Sequence, residues 1–509
     1  MKNTGQKKPV ESSPFIAGLA EVTERERQAK CLTERSQLES AGNPSFLRSA
    51  SLFSGCGGLD LGLLLTDKIR VEVANEILSS PAHTYSRNLK AGIVNSDYVS
   101  EASFPAIYLN DIRNLKFEKG IMVDILAGGP PCQDFSVVRG PPQERKGIEV
   151  KRGRLYEHFV RGLKELSPKA FIFENVPGLV SANGGTAFTT ILGDFDQLGK
   201  RWGEVKKDLE LANGNGAGLG YQIIFKEVVN MSDLGVPQSR RRLIVVGVRK
   251  EMLEKRQLET AKMAFRKALL ANDVMSRYPL TPIEAFEGRP LPELQGKYEE
   301  IMRSYEGIDV EVGTKIALKW RSKTWNSLTF DIVRDYLALN KIEPKGGELE
   351  HAFKEHEKAL GELGYLGVKV SAAPVLDGTG LQNGSSNSKG GAVSERMKRI
   401  PPGENHEFVE GTPWRVSGRG MSLIYRRIHP LKPAYTVVAY GGGGTWGYHY
   451  ERERAALTNR ERARLQTFPD SFYFCGSLSE IRAQIGEAVP VLAAKKIGQA
   501  LYNVLELIR

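Results

Sequence analysis

Four short segments combine cysteine, acids, arginines and glycines at spacings that suit chemistry on a bound ligand. They are LFSGCGGLDLG (52–62), GGPPCQDFS (128–136), FENVPGL (173–179) and VPQSRRRLIVVG (236–247). Each adjoins a run of apolar residues that is typical of a buried strand. Open α/β sheets bind ligands outside the carboxyl ends of their strands. We therefore expect these polar groups to share one site.

The cysteine of the second segment is a candidate nucleophile. Cys132 follows two prolines and precedes Gln-Asp-Phe-Ser, a setting that offers little apolar core. A lone cysteine is more often buried and inert, but these surroundings predict a thiol open to a cleft. A nucleophilic cysteine needs a lowered pKa, which a neighbouring cation provides.

The third segment places a carboxylate at the end of an apolar strand, where Glu174 follows Phe-Ile-Phe directly. A buried carboxylate costs free energy unless it is paired or used. Burial also raises its pKa, so that the group can donate a proton. The alternative is a structural carboxylate that caps the next helix.

The fourth segment carries three consecutive arginines before an apolar strand. Strand alternation puts Arg240 and Arg242 on one side and Arg241 on the other. Two guanidinium groups on one side can hold an acceptor oxygen and a neighbouring phosphate. Taken alone, the run could equally be a solvated charged surface.

The glycine-rich turn of the first segment leads from a strand into a helix, where free backbone N–H groups can meet a ligand. Glu76 ends the next strand, at the spacing of an acid that binds ribose hydroxyls. Asp111 ends the third strand and could accept from an adenine amino group. Each acid alone could be a helix N-cap, but together they predict one nucleoside site.

Short β-rich runs alternate with helical ones, which favours a doubly wound α/β fold with a parallel sheet. The strand candidates span 49–53, 71–77, 106–112, 123–129, 170–176, 221–229 and 242–248. Near the end of the chain, apolar residues recur with helical spacing from Val489 to Ile508, which predicts an amphipathic helix that packs on this domain.

Composition changes suggest how the chain is divided. We predict a polar extension (1–47), a catalytic domain (48–250), a smaller inserted domain (251–425) and a segment that completes the catalytic domain (426–509). In the inserted domain, Trp320 and Trp325 are expected to be core, and the Gly/Ser/Asn-rich stretch 378–392 a mobile loop.

The composition suits a globular protein that meets a polyanion. Lys and Arg outnumber Asp and Glu by 71 to 60, giving a net charge of +11. Four scattered cysteines argue against a zinc site or a disulfide framework and favour a reducing compartment. The sequence shows neither a signal peptide nor a membrane span. We expect a cytoplasmic protein without a metal.

In this order, the segments resemble the signature motifs of the DNA (cytosine-5)-methyltransferase family. The similarity resumes in RRIHPLKPAYTVVAYGGGG (426–444), LTNRERARLQTFPDSF (457–472) and IGEAVPVLAAKKIGQAL (485–501). It implies a Rossmann-like domain that binds S-adenosylmethionine. The implied activity is methyl transfer to carbon 5 of a flipped-out cytosine in a specific double-stranded DNA sequence, with 251–425 as the target-recognition domain.

The resemblance also implies residue roles. Cys132 would add to carbon 6 of cytosine, Glu174 would bond the ring N3 and the exocyclic amine, and Arg242 would hold O2. Arg240 would support Cys132 and a nearby phosphate. The cofactor pocket would be lined by Phe53, Gly55, Gly57, Gly58, Glu76, Ile77, Asp111, Ile112, Pro130 and Glu487.

Two positions depart from the family pattern. Ser51 stands where the glycine turn usually begins with an acid, and Glu487 where the closing motif usually has asparagine. Both departures put contacts to the methionine part of the cofactor in doubt.

Other expectations are less specific. The basic run 134–154 should close over the flipped base. Lys398, Arg399, Arg415 and Arg419 are candidates for contacting DNA only because they are basic and near turns. We expect a monomer with a restriction endonuclease as functional partner. The alternatives are a tRNA cytosine methyltransferase and a non-catalytic DNA-binding relative.

Overall fold

A computed structural model describes most of the chain beyond its first 45 residues. The described residues are 46–131, 155–198, 220–254, 257–271, 274–373, 391–416, 424–440, 444–445 and 447–509. Residues 1–45 of the polar extension, Cys132, the run 134–154 and nearly all of the stretch 378–392 lie outside them. In the described ranges, no helix combines the length and apolar character needed to cross a membrane.

An eight-stranded sheet forms the centre of the molecule. Its strands are β1 (Leu47–Leu52), β2 (Ile69–Glu76), β3 (Gly92–Val94), β4 (Ala106–Leu109), β5 (Ile125–Gly128), β6 (Ala170–Asn175), β7 (Tyr221–Asn230) and β8 (Arg241–Arg249). Their spatial order is β3-β4-β2-β1-β5-β6-β8-β7. The seven predicted strands are confirmed. The sequence analysis missed β3, a three-residue edge strand.

The sheet is parallel except at one strand. The neighbours from β3 to β6 pair in parallel, whereas β8 runs antiparallel to both β6 and β7. The carboxyl ends of β1, β2, β4, β5 and β6 therefore share one edge, and β8 begins there. This topology brings the four chemical segments of the sequence together.

Helices cover both faces of the sheet, as a doubly wound fold requires. The first four are α1 (Gly58–Leu64), α2 (Ser79–Leu89), α3 (Tyr156–Leu166) and α4 (Thr186–Asp196). One apolar core joins α3 and α4 to the sheet. Another joins α1 to the opposite face together with α5 (Gln257–Arg266) and a long C-terminal helix. The predicted α/β class is confirmed.

The described residues of the ranges 274–373 and 391–416 are mainly helical. Their helices are α6 (Pro282–Glu287), α7 (Gln295–Arg303), α8 (Ile308–Val312), α9 (Lys315–Lys323), α10 (Ile332–Asn340), α11 (Glu348–Glu362) and α12 (Ala392–Met397). Trp320 and Trp325 are buried here, as predicted. The inserted-domain boundary at 251 stays a prediction, but α5 packs on the sheet, with the Phe265 and Phe225 rings 5.1 Å apart.

The C-terminal segment returns to the sheet. It contains α13 (Asn459–Leu465), α14 (Leu478–Glu487) and α15 (Val491–Leu507). The predicted apolar face of α15 is confirmed, with Ile497 and Leu501 fully buried. A Cβ at Gly62 would lie 2.3 Å from that of Ala494, so glycine allows α1 to touch α15. Two further pairs of short strands join Gln238–Ser239 to Ala434–Tyr435 and Tyr98–Val99 to Lys116–Phe117.

Candidate active site

The glycine-rich turn between β1 and α1 forms one wall of the site. Phe53, Gly55 and Gly57 all have positive φ, at 57°, 56° and 91°, which only glycine adopts freely. A Cβ at Gly57 would approach the Tyr85 ring to 2.8 Å, whereas one at Gly55 would meet nothing within 4 Å. The turn is thus packed against Tyr85 at Gly57 and open at Gly55, which leaves space for a ligand there.

Glu76, at the end of β2, is held by backbone donors. Its Oε2 accepts from Gly55 N at 2.9 Å, and its Oε1 accepts from Ile77 N and Leu78 N at 2.9 and 2.8 Å. Burial raises the pKa of this carboxyl, and the three N–H donors oppose that shift. The predicted ribose acid therefore joins the glycine turn to the end of β2. Next to it, the Ile77 side chain is 58% exposed and can offer an apolar surface.

The end of β4 contributes Asp111, but its carboxylate is engaged. Arg113 forms an ion pair with Asp111, and this contact lowers the pKa of the Asp111 carboxyl. Ile112, predicted to line the pocket, is only 4% exposed and belongs to the core between sheet and helices. Its backbone carbonyl accepts from the Arg161 guanidinium at 2.7 Å, and its place in the cofactor pocket stays a prediction.

The end of β5 leads to the predicted nucleophile. Pro130 is buried, and its carbonyl accepts from Asn175 Nδ2 at 3.4 Å. Asn175 Oδ1 in turn accepts from Val176 N at 2.8 Å. Cys132 itself lies outside the described residues. The chain two residues before it is nevertheless anchored to the end of β6, beside Glu174.

Glu174 and Arg242 form an ion pair across the ends of β6 and β8. Arg242 Nε lies 3.0 Å from Glu174 Oε1, with side chains 16% and 12% exposed. Burial raises the pKa of Glu174, although Arg242 and then Arg240 oppose the shift. A Cβ at Gly129 would lie 2.8 Å from Glu174 Oε2, so glycine leaves room for the carboxylate. The sequence analysis gave Gly129 no role.

Arg240 lies near this pair but faces inward. It is 1% exposed, and its guanidinium donates to Val437 O at 3.2 Å and to Gly486 O at 2.8 Å. Arg240 precedes β8, which begins at Arg241, so its predicted side of the strand stays a prediction, although the charges of Arg240 and Arg242 both act on Glu174. The expected phosphate contact is not supported, because a guanidinium this deeply buried cannot reach a phosphate without rearrangement.

Gln238, which the sequence analysis left without a role, holds Val437, whose carbonyl accepts from Arg240. Its Nε2 donates to Gln466 Oε1 at 2.9 Å and to Leu465 O at 3.1 Å, and its Oε1 accepts from Val437 N at 2.7 Å. Gln238 is fully buried. Its place at the head of the Gln-x-Arg-x-Arg motif was the available signal. A buried amide with three partners fixes one side-chain orientation.

Ser51, one of the two departures, lies beneath the glycine turn. It is buried beside Asp60, which is 0% exposed. The hydroxyls of Ser51 and Tyr85 face the Asp60 carboxylate without reaching good hydrogen-bond geometry. Burial raises the pKa of Asp60 to about 6. A second acid at position 51 would therefore meet this carboxylate in an apolar setting.

Glu487, the other departure, faces both halves of the site. It is solvent-accessible yet surrounded by protein, as in a cleft, and this partial burial raises its pKa despite a hydrogen bond from Tyr440 and the charge of Arg240. Its charge also acts on Glu76. Nearby, the thiol of Cys56 donates to Gln484 O at 3.6 Å. Among the described residues, no group of three or more His, Cys, Asp or Glu side chains could hold a metal ion.

Comparison with known proteins agrees with this arrangement. The sequence model of the family C-5 cytosine-specific DNA methylase matches residues 47–503. The chain is 54% identical to the DNA (cytosine-5-)-methyltransferase M.ApeKI of Aeropyrum pernix, over 90% of this chain and 98% of that protein. It is 31% identical to the type II methyltransferase M.BbvI of Brevibacillus brevis, over 89% and 90% of the two chains.

One solved structure shares the fold. It is described as that of a DNA modification methyltransferase encoded within an E. coli prophage. The similarity has a TM-score of 0.50 and 21% sequence identity, and it covers 90% of this chain and 99% of the other.

Proposed function

We propose that this chain, which belongs to the C-5 cytosine-specific DNA methylases, methylates cytosine within a specific duplex DNA sequence. The observation that carries the proposal is the meeting of Glu174, Arg242 and the Pro130 carbonyl anchor at adjacent strand ends. This arrangement brings an acid and a cation together beside the described segment that ends just before Cys132, the proposed nucleophile.

The residues around the glycine turn fit S-adenosylmethionine as the methyl donor. The open face of Gly55 leaves room for the ligand, Glu76 offers acceptors for ribose hydroxyls, and Ile77 presents an exposed apolar surface for a base. Phe53, Gly57, Gly58, Asp111 and Pro130 complete the proposed pocket. Bound S-adenosylmethionine supplies the methyl group, and this chain holds and orients both reactants.

The cytosine must leave the duplex before these groups can reach it, at a cost of a few kcal/mol. Glu174 then donates a hydrogen bond to N3, which its raised pKa favours, and Arg242 donates to O2. The thiolate of Cys132 adds to carbon 6, and this addition makes carbon 5 nucleophilic. After methylation, carbon 5 loses its proton, the carbon–sulfur bond breaks and the electron pair returns to sulfur.

Arg240 keeps one of its two expected roles in this proposal. Its buried positive charge lies close enough to act on Glu174, and we propose that it also favours the thiolate of Cys132. Glu487 contributes a carboxylate toward the methionine part of the donor, which carries an ammonium group. Such a contact would compensate for the missing acid at Ser51.

The covalent step gives the most direct test. A duplex with 5-fluorocytosine at the target has no proton to lose from carbon 5, so the adduct accumulates. The enzyme, this duplex and S-adenosylmethionine should give a covalent complex on a denaturing gel. Cys132→Ala should give none, whereas Cys475→Ala, which changes another free cysteine, should behave as wild type. An adduct with Cys132→Ala would refute the assignment.

The substrate is tested by methylating DNA and tRNA in parallel. We expect transfer to DNA, with bisulfite sequencing identifying the target. Transfer to tRNA alone would support the RNA alternative, and cofactor binding without transfer to either would support a non-catalytic relative. The proposal includes a paired restriction endonuclease, since several relatives are named type II methyltransferases. It also includes a monomeric state and a cytoplasmic location at the nucleoid.

A further inference from the structure

Helix α9 carries an unusual concentration of positive charge. Its sequence, KIALKWRSK, contains four basic residues and no acid. Lys315, Lys319 and Lys323 recur every four residues, which places them along one side of the helix. All three are exposed, whereas Ala317 and Trp320 on the other side are buried. The helix is therefore fixed by its apolar side and presents a row of lysines outward.

The lysines of this row have no acidic partner in the described part of the chain. Two nearby acids already have cationic partners: Asp309 lies 3.9 Å from Arg321, and Glu311 pairs with Arg399 and Arg452 at 3.0 and 2.5 Å. By contrast, Lys398 and Arg399, which the sequence analysis considered for DNA contact, both have carboxylate partners. Their charge is largely neutralised within the protein.

The placement of Lys315 is unfavourable for the helix itself. It is the first residue after the N-cap Thr314, and the first turn contains no acid. The helix dipole is positive at this end, so a lysine there is mildly destabilising. A charge that lowers helix stability and has no acidic partner among the described residues suits an anionic partner from outside the chain.

We propose that the exposed row of α9 docks on the phosphate backbone of the duplex DNA substrate. The inference rests on the proposed function and names the surface that holds the DNA. The row spans about 12 Å at 1.5 Å per residue, with its three lysines about 6 Å apart along the helix, so each lysine can contact a different phosphate of one strand. Phosphate contacts set the position of the protein on DNA and carry no sequence information.

The test is the salt dependence of DNA binding. The triple variant Lys315→Gln, Lys319→Gln, Lys323→Gln is titrated with a fluorescent duplex that carries the target found by bisulfite sequencing. The slope of log K against log salt should become shallower by about 2–3, since each phosphate contact contributes about 0.9. At about 0.1 M salt, Kd should rise by about 10–100-fold. The methylated sequence and kcat at saturating DNA should not change.

A matched control removes the same charge elsewhere. Lys354 and Lys358 are exposed and Lys262 is partly exposed, and the three pair with Glu350, Glu355 and Glu259 on their own helices. Changing these three to Gln should leave the salt slope within about 0.5 of wild type. Replacing the three α9 lysines with Arg should keep the wild-type slope, because charge is retained.

The outcomes separate the two proposals. A wild-type enzyme with no methylation of DNA contradicts the proposed function. A wild-type enzyme that methylates DNA while the α9 Gln variant keeps its steep salt slope overturns the α9 assignment alone. Equal losses in the α9 and control variants would also overturn it, since they would reflect net charge rather than a docking surface.

Discussion

The two halves of the strand-end site hold their acids in different ways. On the donor side, Glu76 is held by three backbone N–H groups. On the base side, Glu174 is held by the side chain of Arg242. Backbone donors are fixed by the fold and stay in place when a ligand arrives. A side-chain pair can exchange partners, so the base side can pass its hydrogen bonds to an incoming ring.

A third acid, Asp60, is held neither by backbone N–H donors nor by a cationic side chain. Asp60 lies beneath the donor side with only two poorly placed hydroxyls nearby, and its pKa rises to about 6. The comparison therefore predicts a different effect for each acid. A substitution at Glu174 should affect catalysis, one at Asp60 stability, and one at Glu76 donor binding.

The largest effect is expected from Glu174→Gln. The variant cannot donate a proton from this position, so kcat should fall by about 10²–10⁴-fold. The Kd for S-adenosylmethionine, measured by calorimetry, should change little because the donor side is intact. A comparable loss of donor affinity would show that the two halves are not separate.

Asp60→Asn should change how stability depends on pH. The folded pKa of Asp60 is about 6, against about 3.9 for an unfolded aspartate. The folded state therefore binds more protons between these values, and the burial penalty grows as pH rises, to about 3 kcal/mol above pH 6.

Asn has no charge to desolvate, so the variant should exceed the wild type in stability at pH 8 and lose that advantage toward pH 4. Urea unfolding at several pH values measures this difference. A difference that does not vary with pH would mean that Asp60 is not buried in its charged form.

Glu76→Gln should act mainly on the donor. The amide of Gln turns two N–H donors toward backbone N–H groups that need acceptors. We expect the Kd for S-adenosylmethionine to rise by about 10–100-fold, with kcat at saturating donor within about threefold of wild type. A large fall in kcat with unchanged donor affinity would reverse the comparison.

The smallest effect should come from Gly129→Ala. Its Cβ would press on Glu174 Oε2 at 2.8 Å and displace the carboxylate from Arg242. Displacements of this kind reduce kcat, here by about 10-fold, while donor binding stays unchanged. Gly296→Ala is the control, because a Cβ there meets nothing within 4 Å. Wild-type kcat in Gly129→Ala would show that the carboxylate has room to move.

The sequence predicted the sheet well because its strands are apolar on both faces and end in recognisable polar motifs. It missed β3 because three residues, Gly-Ile-Val, have no periodicity to detect. It grouped Arg240 with Arg242 by strand alternation, but Arg240 precedes β8, which begins at Arg241. Alternation gives the side but not the depth, so the burial of Arg240 and of Ile112 was not predictable.

The sequence also did not predict hydrogen bonds between segments that are far apart in the chain. The pairing of Gln238 with Gln466 joins segments 228 residues apart, and no local pattern indicates such a contact. The sequence also did not single out the lysines of α9. They stand out only in the structure, where the neighbouring acids Asp309 and Glu311 pair with arginines.

One contact described above bears on how the enzyme comes into being in the cell. Cys56 of the glycine turn touches Gln484, 428 residues later in the chain. At a translation rate of about 5–20 residues per second, roughly 20–90 s pass between the emergence of these two segments from the ribosome. Throughout that interval the glycine turn lacks its contact with Gln484, so a growing chain still on the ribosome has no complete methylation site.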